Sequence, residues 1–163
     1  MEEGTVQKLR SKSDEQQQIA EELRKAGYSE GTIDHWLNPR NLSSKSRNEC
    51  DGFSDWFTGP CGDSMEICVK VRNSVIVEAT FISDICIGAI ASGSVLTEMV
   101  KGKTTVEALK ISSHDILDKL GGLPGQYVHC ADLARDTLRL AIRDYLAFAR
   151  EPWKRAYEHQ NRH

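Results

Sequence analysis

The strongest constraint on this chain is a change of hydrophobic period near residue 86. Upstream, Met65, Ile67, Val69 and Val71 alternate with Glu66, Cys68 and Lys70, the pattern of a strand with one buried face. After Arg72-Asn73-Ser74 the alternation resumes with Val75, Val77, Ala79 and Phe81, which predicts a β-hairpin. A shorter strand is predicted around Trp56 and Phe57. From Ile87 onward the period is helical: Ala89, Ile90, Leu96, Met99 and Val100 form a stripe that ends at Gly102. Gly88, Ala89, Ala91, Ser92 and Gly93 are small enough to let that helix approach another backbone closely. Strands first and helices second predict an α+β fold, a small antiparallel sheet of about three strands covered by helices.

The flanking segments extend this plan. Two short helices are expected near Thr105 to Leu109 and from Ser113 to Leu120, before the break Gly121-Gly122-Leu123-Pro124-Gly125. A long helix is expected from about Cys130 to Ala149, with Leu133, Leu138, Ile142, Tyr145 and Leu146 facing the sheet, and Pro152 ends it. The first dozen residues are polar and read as disordered. Ser13 and Gln16 form a capping box opening a helix from Asp14 to Lys25, with Ile19, Leu23 and Ala26 as a thin apolar stripe. A second short helix begins at Ser29, carries Ile33, Trp36 and Leu37, and stops at Asn38-Pro39-Arg40-Asn41. Residues 42–52 read as a loop. The chain thus divides into an N-terminal extension with a short helix (1–27), one domain (28–149) and a polar tail (150–163).

A chain of 163 residues buries enough surface to fold without disulfides or metal, so a metal site here is free to serve function. The net charge of −3 offers no concentrated basic face, and nucleic acid is not expected as a partner. No apolar run approaches the roughly 20 residues that span a bilayer, so a membrane is not expected either. The start Met1-Glu2-Glu3-Gly4 lacks the character of a secretory or transit segment, and the expected location is cytoplasmic. In that reducing compartment the five cysteines are not expected to form a disulfide framework; they point to metal or thiol chemistry, or to ordinary buried cysteines.

Soft or borderline metal ligands stand at three junctions between elements: Cys61-Gly62-Asp63 before the hairpin, Cys86 after it, and His129-Cys130 at the start of the long helix. Thiolates suit zinc, ferrous iron and iron–sulfur clusters, and imidazole can complete such a set. The helix starts are expected to lower the pKa values of both Cys86 and Cys130.

From Tyr28 to about Tyr145 the chain resembles the U-type iron–sulfur cluster assembly scaffolds, the family of IscU and the NifU N-terminal domain. The resemblance is carried by Y-S-x-x-x-I-D-H-W-x-N-P-R-N at 28–41, C-G-D-x-M at 61–65, C-I-G-A-I-A-S-G-S at 86–94 and L-T-E-M-V-K-G-K at 96–103. E-A-L at 107–109, G-G-L-P at 121–124 and H-C at 129–130 follow in the family's order. It implies a SufE/NifU-like fold with an extra N-terminal helix, and a scaffold or carrier without turnover chemistry of its own. Cys61, Cys86 and Cys130 match the family cysteines that bind iron or the finished [2Fe–2S] cluster. Asp63 matches the aspartate thought to keep that cluster labile, and His129 is a candidate fourth ligand. The implied partners are a cysteine desulfurase delivering persulfide sulfur to Cys130, a ferredoxin-type electron donor and apo iron–sulfur acceptor proteins. Tyr28 matches a tyrosine linked to homodimer formation.

Departures from the pattern matter too. Ile85 and Ile87 flank Cys86 where the family usually has glycines, and β-branched neighbours stiffen the backbone. Leu123-Pro124-Gly125-Gln126-Tyr127 lacks the Pro-Val-Lys core read by an Hsp70-type chaperone, so that partnership is not carried over. Cys50 and Cys68 match no family ligand: Cys68 reads as structural and Cys50 as a loop thiol. His35 reads as packing, and His114, His159 and His163 as surface residues. The rival reading is a zinc-bound sulfur acceptor that stimulates a desulfurase; His129 and the lack of a large insertion before Cys130 disfavour it.

Overall fold

The computed structural model describes residues 2–154 and 157, with side chains from residue 12 onward. In chain order it contains α1 (Glu2–Lys25), α2 (Glu30–Leu37), β1 (Gly52–Phe53), β2 (Phe57–Thr58), β3 (Ser64–Arg72), β4 (Val75–Ser83), α3 (Ile87–Val100), α4 (Thr105–Leu109), α5 (Ser113–Leu120) and α6 (His129–Ala149). The α+β plan is the one expected, with four strands in the sheet. β3 lies at its centre, with β4 on one side and β1 and β2 sharing the other, every pairing antiparallel. The extra strand, β1, is only two residues long and carries no alternation to read. Its Gly52 has no room for a side chain, because a Cβ there would stand 2.3 Å from the Ala141 carbonyl oxygen.

The β3–β4 hairpin turns through Asn73 (φ 52°) and Ser74 (φ 63°), both in the left-handed region that a two-residue hairpin turn requires. Met65, Ile67, Val69 and Val71 face the core as the alternation predicts. On β4 Ala79 and Phe81 are buried as the alternation predicts, but nearer the turn the phase differs: Ile76 is buried and Val77 is exposed. The register explains it. Lys70 opposes Glu78 but Val71 opposes Ile76, so Val77 is an extra residue that reverses the alternation.

α3 and α6 cover one face of the sheet, and α2 and α5 close around α3. α3 is buried over almost its whole circumference, so its small residues meet neighbours on every side. A Cβ on Gly93 would lie 2.4 Å from the Phe81 ring. α4 and α5 open with capping boxes at Thr104/Glu107 and Ser112/Asp115, and Gly121 ends α5 in the left-handed region. Leu133, Leu138 and Ile142 of α6 are core residues, whereas Leu146 is exposed because α6 runs past the edge of the sheet.

Two expectations are corrected here. α1 begins at Glu2 rather than Asp14, because Glu, Gln, Lys, Leu and Arg upstream are strong helix formers, and Ser13 lies inside the helix instead of capping it. Of its apolar residues Ala20 is buried and Leu23 half-buried, while Ile19 is exposed. The second correction concerns the cysteines. Cys50 and Cys68 form a disulfide, with Cα atoms 5.5 Å apart and a separation of 18 positions in sequence. The pairing of Phe53 with Cys68 brings the incoming segment across the outer face of β3, where Cys50, Phe53 and Cys68 make a small second core. The bond closes the stretch that carries Cys61 and Asp63.

Closing a loop of this length removes denatured-state entropy, and Cys50→Ser is expected to lower unfolding free energy by about 3 kcal/mol. Urea titration under non-reducing conditions measures it; coincident curves for variant and parent would refute the stabilising role.

Candidate metal centre

Three loops meet at one end of the sheet. In the first, β2 and β3 pair at Phe57–Met65 and Thr58–Ser64, so residues 59–63 form a tight hairpin loop. The Gly59 N–H donates to the Asp63 carbonyl (2.9 Å) and the Gly62 N–H to the Gly59 carbonyl (3.0 Å). Gly62 sits at φ +87°, where a side chain is strained. This turn lifts Cys61 to an exposed tip and turns the half-buried Asp63 inward. In the second loop Asp84 bridges to the first: its carboxylate accepts from the Ser64 N–H (2.8 Å), and its own N–H donates to the Ser64 carbonyl (3.1 Å). The Asp84 carbonyl accepts from the Cys86 N–H (2.8 Å), fixing Cys86 as the N-cap of α3. The third element is α6, whose second residue is Cys130.

Asp63, Cys86 and Cys130 come together, with a ligand atom of each within 4.8 Å of the others. The Cys86 and Cys130 sulfurs are 3.8 Å apart, and Cys130 Sγ lies 4.0 Å from Asp63 Oδ2. A tetrahedral ion with metal–sulfur bonds of about 2.3 Å holds two thiolates about 3.8 Å apart, so the pair fits such an ion without rearrangement. Gly88 makes this approach feasible, since a Cβ there would stand 2.8 Å from Cys130 Sγ. Cys61 and His129 lie outside the close group. Cys61 is exposed on its loop tip, though its charge still bears on Cys130. His129 is exposed at the first position of α6, and adjacent helical residues point about 100° apart.

The two central thiols differ in acidity. A hydrogen bond from Cys130, aided by the N–H groups of Ala89 and Gly88, holds the Cys86 thiol down at about 7. Cys130 moves the opposite way to the expectation from its helix start. Its bond to Cys86, then its burial, then the charges of Cys86, Asp63 and Cys61 all push it up. Of the two thiols Cys86 is the one that ionises first, with Cys130 as its S–H donor. Asp84 is a site residue that the sequence reading does not name. For Asp84 a signal existed, since an aspartate two residues before a helix N-cap favours a local turn. His35 packs as expected, its Nδ1 2.8 Å from Ser94 Oγ. His114 is exposed beside Asp118, and His159 and His163 lie outside the described residues.

Known proteins of similar sequence and fold point to one family. Residues 27–151 match the NifU-like N terminal domain. The iron–sulfur cluster assembly scaffold protein IscU 1 of Archaeoglobus fulgidus is 45% identical over 118 residues, covering 72% of this chain and 76% of that protein. The IscU scaffold protein of Escherichia coli K12 is 44% identical over 120 residues, covering 72% of this chain and 93% of its own length. Among solved structures, the N-terminal part of a nitrogen-fixing NifU-like protein from Brucella abortus shares the fold, with a TM-score of 0.56 at 15% identity over 73% of this chain and 94% of that one. The chain belongs to the NifU-like N-terminal domain family, the U-type iron–sulfur scaffolds.

Because the thiolate is the attacking form, alkylation of Cys86 by iodoacetamide is expected to rise with pH about a midpoint near 7. Removing the Cys130 donor in Cys130→Ala should move that midpoint upward. Peptide mass spectrometry across pH 5–10, roughly the span of thiol titration, reads both; an unmoved midpoint would show that Cys130 is not the cause.

Proposed function

We propose that this protein is a scaffold on which a small iron–sulfur cluster is assembled and from which it is passed on. The observation that carries the reading is the convergence of Asp63, Cys86 and Cys130 from three separate elements, in a chain 44–45% identical to scaffold proteins over most of its length. Iron and the cluster are cargo. Cys61, on its exposed tip, and His129, at the rim, complete the ligand set as the loops close on a [2Fe–2S] unit. Zinc fits the same donors and competes for them.

Sulfur arrives as the persulfide of a cysteine desulfurase. Cys130 passes its proton to the Cys86 thiolate 3.8 Å away. The Cys130 thiolate so formed bonds to the terminal sulfur of the donor, the donor's S–S bond breaks, and its cysteine leaves as thiolate. Two electrons from a ferredoxin-type donor then cleave the new S–S bond, returning Cys130 as thiolate and releasing sulfide to the iron. A thiolate-rich acceptor protein draws the cluster away because Asp63 is a harder donor than sulfur and competes poorly for it.

Anaerobic reconstitution with ferrous iron, cysteine, a desulfurase and reduced ferredoxin as electron donor tests the reading. About two irons and two sulfides per chain, transferable to an apo-ferredoxin, are expected. Bound zinc with no cluster, alongside faster desulfurase turnover, would place the protein among sulfur acceptors instead. Cys86→Ala is expected to hold less than about a tenth of the parent's cluster, since half of the close thiol pair is lost. Asp63→Ala is expected to lengthen cluster lifetime in air, followed by decay of the visible absorption; faster decay would contradict the labilising role.

A further inference from the structure

Tyr28 and Tyr127 stand beside the close thiol pair, and the local structure leaves neither free to drift. Gly27 (φ +93°) ends α1, and the Tyr28 N–H returns to the Leu23 carbonyl at 3.0 Å, closing the helix terminus. The next residue, Ser29, caps α2 by accepting from the Thr32 N–H (3.2 Å), and its hydroxyl donates to the Leu120 carbonyl. The Thr32 hydroxyl donates to the Gly122 carbonyl at 3.2 Å. Tyr28 is thus tied between two helix ends that are anchored on the C-terminus of α5.

Tyr127 ends the short 3-10 turn Gly125–Tyr127, with its N–H on the Pro124 carbonyl at 2.8 Å. It precedes Cys130 by three residues and so lies on the same side of the helical chain. A Cβ on Gly88 would stand 2.8 Å from Cys130 Sγ and 3.3 Å from Tyr127 Cβ, so these two side chains bracket one point on α3. The rings of Tyr28 and Tyr127 pack with centroids 5.8 Å apart and planes inclined by 30°. The Tyr28 hydroxyl feels the charges of both Cys86 and Cys130. Cys130 itself is 2% exposed, whereas both tyrosines are half-buried and so stand nearer to solvent.

We propose that Tyr28 and Tyr127 form an aromatic clamp over Cys130 that selects, by size, which reagents reach its sulfur. The clamp gives the proposed sulfur-accepting site its specificity, and so rests on that reading. A donor whose terminal sulfur projects on a slender arm passes along the edge of the packed rings. One whose sulfur is flanked by bulk must first displace them.

The test uses the full chain and two maleimides, N-ethylmaleimide and its fluorescein-bearing analogue. Both react by addition of the thiolate across the same ring double bond, with no leaving group. The ratio of their rates at one cysteine therefore cancels the thiolate fraction and reads steric access alone. Peptide mass spectrometry gives this ratio at Cys130, with exposed Cys61 as the internal reference. In the parent the bulky reagent is expected to be disfavoured at Cys130 by about tenfold relative to Cys61, the factor that one aromatic pair supports. Tyr127→Ala and Tyr28→Ala should bring the two cysteines close to the same ratio, and Tyr127→Phe, which keeps the ring, should leave the parent's ratio. Tyr127→Ala leaves the Ser29 and Thr32 anchors intact and serves alone if Tyr28→Ala loosens α2. A ratio unmoved in Tyr127→Ala, or raised as far in Tyr127→Phe, overturns the clamp. Failure of cluster assembly would leave these ratios untouched, so the two readings fail separately.

Discussion

The close approach of α3 to its neighbours is the contact on which the rest of the structure depends. Gly93 accepts the Phe81 ring and Gly88 accepts the Cys130 sulfur, each at a distance that a methyl group would forbid. The first contact seats α3 on the sheet and the second seats α6 against α3, five residues apart on one helix. Phe81 is almost fully buried, so a substituent at Gly93 could not be absorbed by moving a free side-chain end. The ligand cluster is thereby a consequence of core packing. Moving α3 outward by a methyl would part Cys86 from Cys130 before it disturbed the sheet.

Charge, more than reach, limits what the metal-free site can do. Two thiols at 3.8 Å with a carboxylate 4.0 Å from one of them cannot all ionise in a half-buried setting. The proton settles on Cys130, the deeper of the two, and Cys86 holds the negative charge with help from the start of α3. A bound cation inverts this balance, since coordination favours the thiolate at both positions. The same donor set is therefore reluctant to stay fully ionised when empty and receptive when metal arrives, which suits temporary holding better than permanent storage.

Much of this was legible in the sequence because it depends on local patterns. The turn at Asn73-Ser74, the bounds of α4 and α5, and the placing of Cys61, Asp63, Cys86 and Cys130 at junctions follow from turn chemistry, caps and period. What escaped depends on pairing between distant residues. Val77 reads as inward until the register shift at Lys70/Val71 is known. Gly52-Phe53 is too short to show a strand, and only its position beside β3 makes it one. The Cys50–Cys68 bond follows from that same position, which no spacing of cysteines encodes. The acidity of Cys130 was misjudged for a related reason: the helix start was visible, but the neighbouring Cys86 and the burial were not.

The disulfide and the ligand loops are linked through β3. Cys68 lies four residues beyond the start of that strand at Ser64, and the Ser64 backbone exchanges bonds with the Asp84 carboxylate and N–H that tie the Asp63 loop to the Cys86 loop. Holding Cys68 to Cys50 secures the outer face of β3, while α6 secures its inner face through Leu133, Leu138 and Ile142. The Asp144 carboxylate on α6 accepts from the Phe53 N–H at 2.9 Å, which joins the two faces at β1. The sheet end that bears Asp63 and Cys86 is therefore fixed at its base, and Cys61 stands at the exposed tip of its loop. On the proposed scaffold reading, Asp63, Cys86 and Cys130 stay in place while Cys61 and His129 approach from the rim, so exchange of cargo need not loosen the fold.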